Sequence, residues 1–389
     1  MLRIFLSLCL LICMYASKSQ PHNFIPQPVS VTFANGGFVI DKTTSVQYNT
    51  ANAGLKSLAD YFSTYINEIS GENLRHNRKT GKYIQLRLSD NAELGEEGYS
   101  LMVRPTGIIL TANNRKGLFY AMQTLFQTLP AIRTNQVLTI PSLDIIDYPR
   151  FEWRGMHLDV SRHFSSIDLV KKYLDLMAAY KMNTLHWHLT DDPGWRLEIK
   201  SFPKLTDISA WRVNQNHIEW TDRPQAKPGE AATYGGYYTQ EQIKEVVRYA
   251  TARNITIVPE IDVPGHTGSV IAAYPQFSCA QQPQLPMTGG NYKGMTTSLC
   301  VGNDSVYLFL EKVYGELMDL FPGTYIHMGG DEVDKSPWQK CAKCQRKMKE
   351  ENLKSVDELQ SYFVKRMEKI ILARKRKMLG WDEILEGGL

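Results

Sequence analysis

The chain has 389 residues, 43% of them apolar and 22% charged. That balance supports a large packed core and excludes disordered, collagen-like and coiled-coil chains. The 44 basic and 40 acidic residues are dispersed and leave +4 at pH 7, with one compact basic run from Arg374 to Lys377, so nucleic acid is not the expected partner. The length calls for more than one unit, and a large barrel beside a smaller domain is the natural partition.

Arg3 precedes an apolar run over residues 4–15, and small or polar residues follow at Ala16, Ser17 and Ser19. The run is too short to span a bilayer and reads as a secretory signal over residues 1–20, which assigns the rest of the chain to the periplasm, the cell surface or the medium. Cys13 offers lipid attachment as the second choice, because Ile12 before it is bulkier than such sites prefer. No transmembrane segment is expected.

Cleavage leaves Cys279, Cys300, Cys341 and Cys344. An even number in an exported chain implies disulfides, with Cys279 to Cys300 closing one loop and Cys341 to Cys344 forming a tight pair or two quiet thiols. Cys341-x-x-Cys344 is also half of a zinc site, but the other ligands are missing at ordinary spacing. No metal is therefore expected.

Residues 21–148 read as a small α+β domain. Residues 29–40 and 99–111 form strand pairs broken at Asn35-Gly36-Gly37 and Pro105-Thr106-Gly107, and residues 53–69 and 115–129 carry helical spacing, as in Leu118, Met122, Leu125 and Phe126. Asp147-Tyr148-Pro149-Arg150 is the joint. From 149 to 389 short apolar runs at 155–160, 182–189, 255–261, 325–328 and 378–381 alternate with amphipathic helices. Capping boxes start two of these at Thr239 with Gln242 and Ser355 with Glu358, and Asp304 caps a third. Strands alternating with helices imply parallel βα units, an α/β fold whose polar strand ends carry the site.

The two-residue period of a strand sharpens this. Leu185, Trp187 and Leu189 face the helices, while Thr184, His186 and His188 face inward, as do Glu260, Asp262, His327 and Asp331. In Gly329-Gly330-Asp331-Glu332 two neighbouring carboxylates cannot both face inward on a regular strand, so the glycines must twist the chain. Like charges brought close favour retention of one proton, which a general acid requires. An Asp-Glu pair in a loop is ordinarily only solvated; here its place at a strand end beside other inward polar residues favours chemistry.

Four segments carry a resemblance: Arg154-Gly155-Met156-His157-Leu158-Asp159-Val160-Ser161-Arg162-His163-Phe164, His186-Trp187-His188-Leu189-Thr190-Asp191-Asp192, Pro259-Glu260-Ile261-Asp262-Val263-Pro264-Gly265-His266 and His327-Met328-Gly329-Gly330-Asp331-Glu332. In this order and at strand ends they resemble the glycoside hydrolase family 20 β-N-acetylhexosaminidases, and the preceding region resembles that family's N-terminal domain. The resemblance implies a (β/α)8 TIM barrel, of which about five strands are present, with no cofactor. It implies an exo-acting, retaining enzyme that removes terminal N-acetylglucosamine or N-acetylgalactosamine from oligosaccharides or glycoconjugates. The substrate's own acetamido oxygen is then the nucleophile, an exception to the two-carboxylate scheme. Glu332 would be the acid and then the base, and Asp331 would hold the acetamido group. Arg162 would fork to sugar hydroxyls, Asp191 and His266 would support Glu332 and touch the sugar, Asp262 would orient His266, and Trp381 would wall the acetamido pocket.

Two other readings compete. His186-x-His188 with His266 and Asp331 could hold a metal in an amidohydrolase-type barrel. That motif is expected on the first strand rather than the second, and it leaves Glu332 without a role. A non-catalytic glycan-binding remnant fits the short barrel, since a complete one takes about 250 residues, but does not account for Asp331 and Glu332.

Overall fold

The computed structural model describes residues 23–134 and 137–388. The expected signal over 1–20, with Cys9 and Cys13, lies outside them. Among the described residues no helix is long and apolar enough to cross a membrane. The chain divides into two units, the first reaching Glu152 and including Ala179–Lys181, the second holding Trp153–Ala178 and Met182–Leu389.

Among the described residues the first unit is a seven-stranded sheet with two α-helices. Its strands are β1 (Ser30–Val39), β2 (Thr44–Gln47), β3 (Arg75–His76), β4 (Lys82–Leu88), β5 (Tyr99–Arg104), β6 (Gly107–Ala112) and β7 (Thr139–Asp147), in the order β1-β7-β5-β6-β4-β2-β3. Helix α1 (Ala53–Ser70) starts where the Asn52 side chain accepts from the Leu55 N–H, and its Leu55, Leu58, Phe62, Ile66 and Ile69 repeat at helical spacing on the buried face. Helix α2 (Arg115–Phe126) buries Leu118, Met122, Leu125 and Phe126. β5 and β6 form the expected antiparallel pair around Pro105 and Thr106. The pair expected within 29–40 is instead one strand: β1 runs antiparallel to β7 throughout, with a register shift between Phe33 and Gly37. Asn35-Gly36-Gly37 makes a bulge, with Gly36 at φ +90°, rather than a reversal.

The second unit is built on β8 (Gly155–Asp159), β9 (Thr184–His188), β10 (Thr256–Glu260), β11 (Tyr325–His327) and β12 (Lys377–Leu379), all parallel and in sequence order across the sheet. Helices α3 (Ile167–Ala179), α4 (Gln240–Ala252), α5 (Asp304–Leu320) and α6 (Val356–Ala373) alternate with them. These are five strands and four helices of the (β/α)8 barrel class. The faces divide as the alternation predicts: Leu185 and Trp187 are fully buried, with the Trp187 ring 4.9 Å from Tyr238 and 6.3 Å from Phe321.

Thr239 and Gln242 form a complete capping box on α4. On α6 the Ser355 side chain accepts from the Glu358 N–H, but the Glu358 carboxylate turns to the Lys354 N–H, so the box is only half made. Asp304 does not cap α5. Asn303 takes that place, accepting from the Ser305 N–H, and Asp304, one residue further, pairs with Arg366.

The cysteines correct the disulfide expectation. All four are unbridged, and neither Cys279–Cys300 nor Cys341–Cys344 stands apart as a pair. A bridge between Ser278 and Leu299 sets Cys279 and Cys300 side by side, and the helix Ala342–Glu350 brings Cys344 to 3.7 Å from Cys279 and 3.8 Å from Cys300. One four-sulfur cluster results.

Candidate active site

Strand register builds the floor of the site. Asp159 pairs with His188, His188 with Glu260, and Glu260 with His327, so the last residues of β8, β9, β10 and β11 form one row at the carboxyl edge of the sheet. Glu260 is fully buried there, an arrangement that survives only with partners. One of its oxygens lies 2.7 Å from His186 Nε2 and 2.6 Å from His188 Nδ1, and the other accepts from the Trp381 indole N–H at 2.9 Å. Burial opposes its ionisation, but His186 and His188 outweigh that and hold the carboxyl well below the usual range. His188 is gripped between Glu260 and Asp191 Oδ2 at 3.0 Å, and despite burial these two charges raise its pKa.

Asp191 belongs to a tight hairpin in which Thr190–Asp191 pairs with Gly194–Trp195. It is fully buried, and against that burial His188, His266 and Arg162 hold it ionised. Arg162 stands three residues beyond Asp159, whose carboxylate accepts from the Ser161 and Arg162 backbone N–H groups and from Arg162 Nη1. Nη2 reaches Asp191 at 2.6 Å, so the guanidinium is fixed by two carboxylates while its side chain stays 34% exposed at the mouth.

His266 closes the arrangement. In a left-handed backbone conformation, φ +49°, it turns Nδ1 to Asp192 at 3.2 Å and Asp191 at 3.3 Å. Burial works against its charge, yet the two carboxylates push the imidazole up to about 12. Its other nitrogen lies 3.4 Å from Glu332 and 3.7 Å from Asp331, near enough for charge attraction but not aligned as a hydrogen bond, and remains an unpaired buried atom. Asp262 was expected to orient His266. It comes within 4.8 Å of it, but its Oδ1 accepts from the Gly330 N–H at 3.0 Å, so it positions the turn before Asp331. The hairpin acids orient His266 because its inverted backbone aims the ring at them.

Gly329 and Gly330 have φ +70° and +101°, and Glu332 follows at +48°. This twist lets Asp331 and Glu332 both reach the mouth. The two differ in shelter: the Asp331 side chain is 24% exposed and its Oδ1 is a buried acceptor with no donor, while Glu332 is 74% exposed. Trp381, tied by its backbone N–H to Gly329 O, lays its half-exposed ring 4.9 Å from His327 and 5.5 Å from His186. It stands over the polar face rather than in the core. Close contacts thus link Arg162, Asp191, His266, Asp331 and Glu332 in one chain, and Trp381 joins through Glu260 and His188.

Glu260, Asp159 and Asp192 are site residues that sequence reasoning left without a role. Alternation already pointed Glu260 inward; Asp192, fully buried and accepting from the Gly268 N–H at 2.7 Å, had only its adjacency to Asp191 as a signal. Tyr292 approaches from the loop after β10, where burial and then the Asp192 and Asp191 charges push its phenol up. The metal reading finds no matching geometry: among the described residues no ligand cluster joins His186 or His188 to His266 and Asp331.

A parallel β/α sheet with acids and imidazoles gathered at its carboxyl edge defines the barrel class that works at that end. The chain belongs to glycosyl hydrolase family 20: the family's catalytic domain matches residues 151–389 and its domain 2 matches residues 22–148. A β-hexosaminidase of Porphyromonas gingivalis is 39% identical over 376 residues, covering 94% of this chain and 46% of that protein. One of Vibrio furnissii is 40% identical over 300 residues, covering 77% and 48%. The chain thus spans about half the length of the curated relatives it matches. Among solved structures, the family 20 β-N-acetylhexosaminidase of Streptomyces coelicolor A3(2) superposes with a TM-score of 0.77 at 33% identity over 93% of this chain and 67% of that one. A mutant Streptomyces plicatus β-hexosaminidase in complex with its product GlcNAc gives 0.78 at 33% over 95% and 67%.

Proposed function

We propose that the protein is an exo-acting, retaining β-N-acetylhexosaminidase, exported from the cell, that removes terminal N-acetylglucosamine or N-acetylgalactosamine from oligosaccharides and glycoconjugates. The observation that carries this reading is the asymmetry of the two neighbouring carboxylates: Asp331 keeps a sheltered acceptor without a donor, and Glu332 stands open to solvent. An acetamido N–H is the donor that Asp331 lacks. Once that group is held, its carbonyl oxygen attacks the anomeric carbon while Glu332 gives its proton to the departing oxygen, and a cyclic oxazolinium forms. Asp331 stabilises the positive charge that spreads onto the nitrogen. Water then enters from the vacated side, loses a proton to Glu332, and reopens the ring with the original anomeric configuration. A nucleophile already held in line removes much of the barrier, up to about 7–11 kcal/mol in well-oriented cases.

The fixed guanidinium of Arg162 suits a pair of sugar hydroxyls, the Trp381 face suits the acetamido methyl, and His266 sets a cation beside both carboxylates. The names of the relatives support the same reading, and the pattern of residues 1–20 supports export. The test is direct: a thiazoline mimic of the oxazolinium should bind more tightly than the matching N-acetylglucosaminide, and the first sugar released should be the β-anomer. Binding no tighter than substrate, or release of the α-anomer, rejects the substrate-assisted route.

A further inference from the structure

The four-cysteine cluster stands apart from the chemistry above. We propose that Cys279, Cys300, Cys341 and Cys344 are the ligands of one zinc ion in a closed tetrathiolate site that fastens the loop between β10 and α5 to the segment following β11. The first argument is the sulfur spacing. Zinc–sulfur bonds of about 2.3 Å in a tetrahedron set the sulfurs about 3.8 Å apart. The observed separations are 3.6 Å for Cys300–Cys341, 3.7 Å for Cys279–Cys344 and 3.8 Å for Cys300–Cys344, and all four sulfurs lie within 4.8 Å of one another. Disulfides would draw two pairs to about 2.0 Å and leave no reason for Cys344 to stand equally close to Cys279 and Cys300.

The second argument is the scaffold. Cys341 stands at the N-terminal boundary of the helix Ala342–Glu350, its side chain making no capping bond, and Cys344 lies in the first turn, a two-residue spacing that suits one metal. The other two ligands come from the ends of a loop held shut by the Ser278–Leu299 bridge and by the Cys300 N–H on Phe277 O at 2.7 Å. Ligands so paired are invisible to a search along the chain, which is why the sequence alone led to the opposite expectation. Gly302 passes close against the helix start, where a Cβ would stand 2.5 Å from the Cys344 backbone. Cys300 and Cys344 are buried.

Four protein ligands leave no open position, so the ion is structural. What it holds is the frame of the mouth. Leu299 donates its N–H to Pro264 O and accepts from the Trp338 indole, and the Ser298 hydroxyl donates to Asp334 O. The clip therefore ties the segment bearing His266 to the one bearing Asp331 and Glu332. Binding one Zn²⁺ to four thiols releases four protons, and the thiolates so held are shielded from oxidation in an exported protein.

The test uses the protein purified without chelator or reductant. Metal analysis should find one zinc per chain, a mercurial that caps thiols should release it to a colorimetric zinc indicator, and replacement by Co²⁺ should give sulfur-to-cobalt charge-transfer bands with tetrahedral d–d bands. Cys341→Ser with Cys344→Ser should abolish zinc and lower the unfolding temperature. Should that variant fail to fold, the stoichiometry and cobalt spectrum of the unaltered protein still decide. Two disulfides by intact mass in denaturant, four alkylatable thiols with only trace metal, or iron in place of zinc would each overturn the proposal.

Discussion

His266 shows how much of this mouth depends on charge held against burial. A buried imidazole alone would be neutral, yet Asp191 and Asp192 keep its pKa near 12 instead of 6.5. A pKa raised on folding stabilises the fold fully below the unfolded value, and the contribution fades as pH rises from 6.5 towards about 12. Replacing His266→Asn should therefore destabilise most near about pH 6, with the gap to the unaltered protein narrowing by at most about 1.4 kcal/mol per pH unit up to about pH 9. Urea unfolding at several pH values measures it, and a gap independent of pH rejects the charged assignment. Asp331 and Glu332 separate by leaving group. Asp331→Asn should lower kcat/KM by about 10²–10³ on every N-acetylglucosaminide, because every substrate needs its acetamido group held. Glu332→Gln should cost about 10²–10⁴ on poor leaving groups but far less on an activated nitrophenyl glycoside, which needs little acid. Equal losses on the activated substrate would assign the roles wrongly.

At the scale of elements, the turn after β11 carries the site, and it tolerates no side chain. A Cβ at Gly329 would stand 1.8 Å from Asp262 Oδ1, and one at Gly330 2.5 Å from Ile384. Gly329→Ala should thus lose about 1–3 kcal/mol of stability through strain at positive φ, and an Asp331 displaced by about 1 Å should lose about 10² in kcat/KM. Unfolding curves and initial rates test both; unchanged values would mean the turn is not what sets Asp331. This turn, like the row His188, Glu260 and His327, was legible in the sequence because strand alternation is a local period. Asp192 on His266 and Cys344 on Cys279 were not, since those contacts span 74 and 65 residues and depend on how loops return. β1 was misread for a different reason: the glycine pair that makes a bulge is also what makes a turn, and only the β7 partner distinguishes them. The α5 cap failed by one residue because Asn303 and Asp304 are both good caps.

For the whole molecule the deciding physics is closure. In the order β8 to β12 the two outer strands each have one bonded neighbour. β8 shows the consequence: Gly155, Met156 and His157 are exposed, whereas four of the five residues of β9 are buried. A barrel removes its edges only by pairing its last strand with its first, and an open parallel sheet presents both unpaired backbone and its polar inner face to water. Three further β/α units would complete about eight. A protein limited to residues 21–389 is therefore expected to unfold broadly, aggregate through β8 and β12, and release little nitrophenol from its N-acetylglucosaminide. A chain carrying those units after β12 should unfold in one sharp step, remain monodisperse and turn over, because closure pairs β8 and walls the pocket that presses the acetamido group onto Asp331. Expressing the two lengths side by side, with calorimetry, light scattering and initial rates, measures this. A sharp transition with full activity in the shorter form would mean that five strands and the Trp381 wall suffice, and that edge pairing is not what limits this fold.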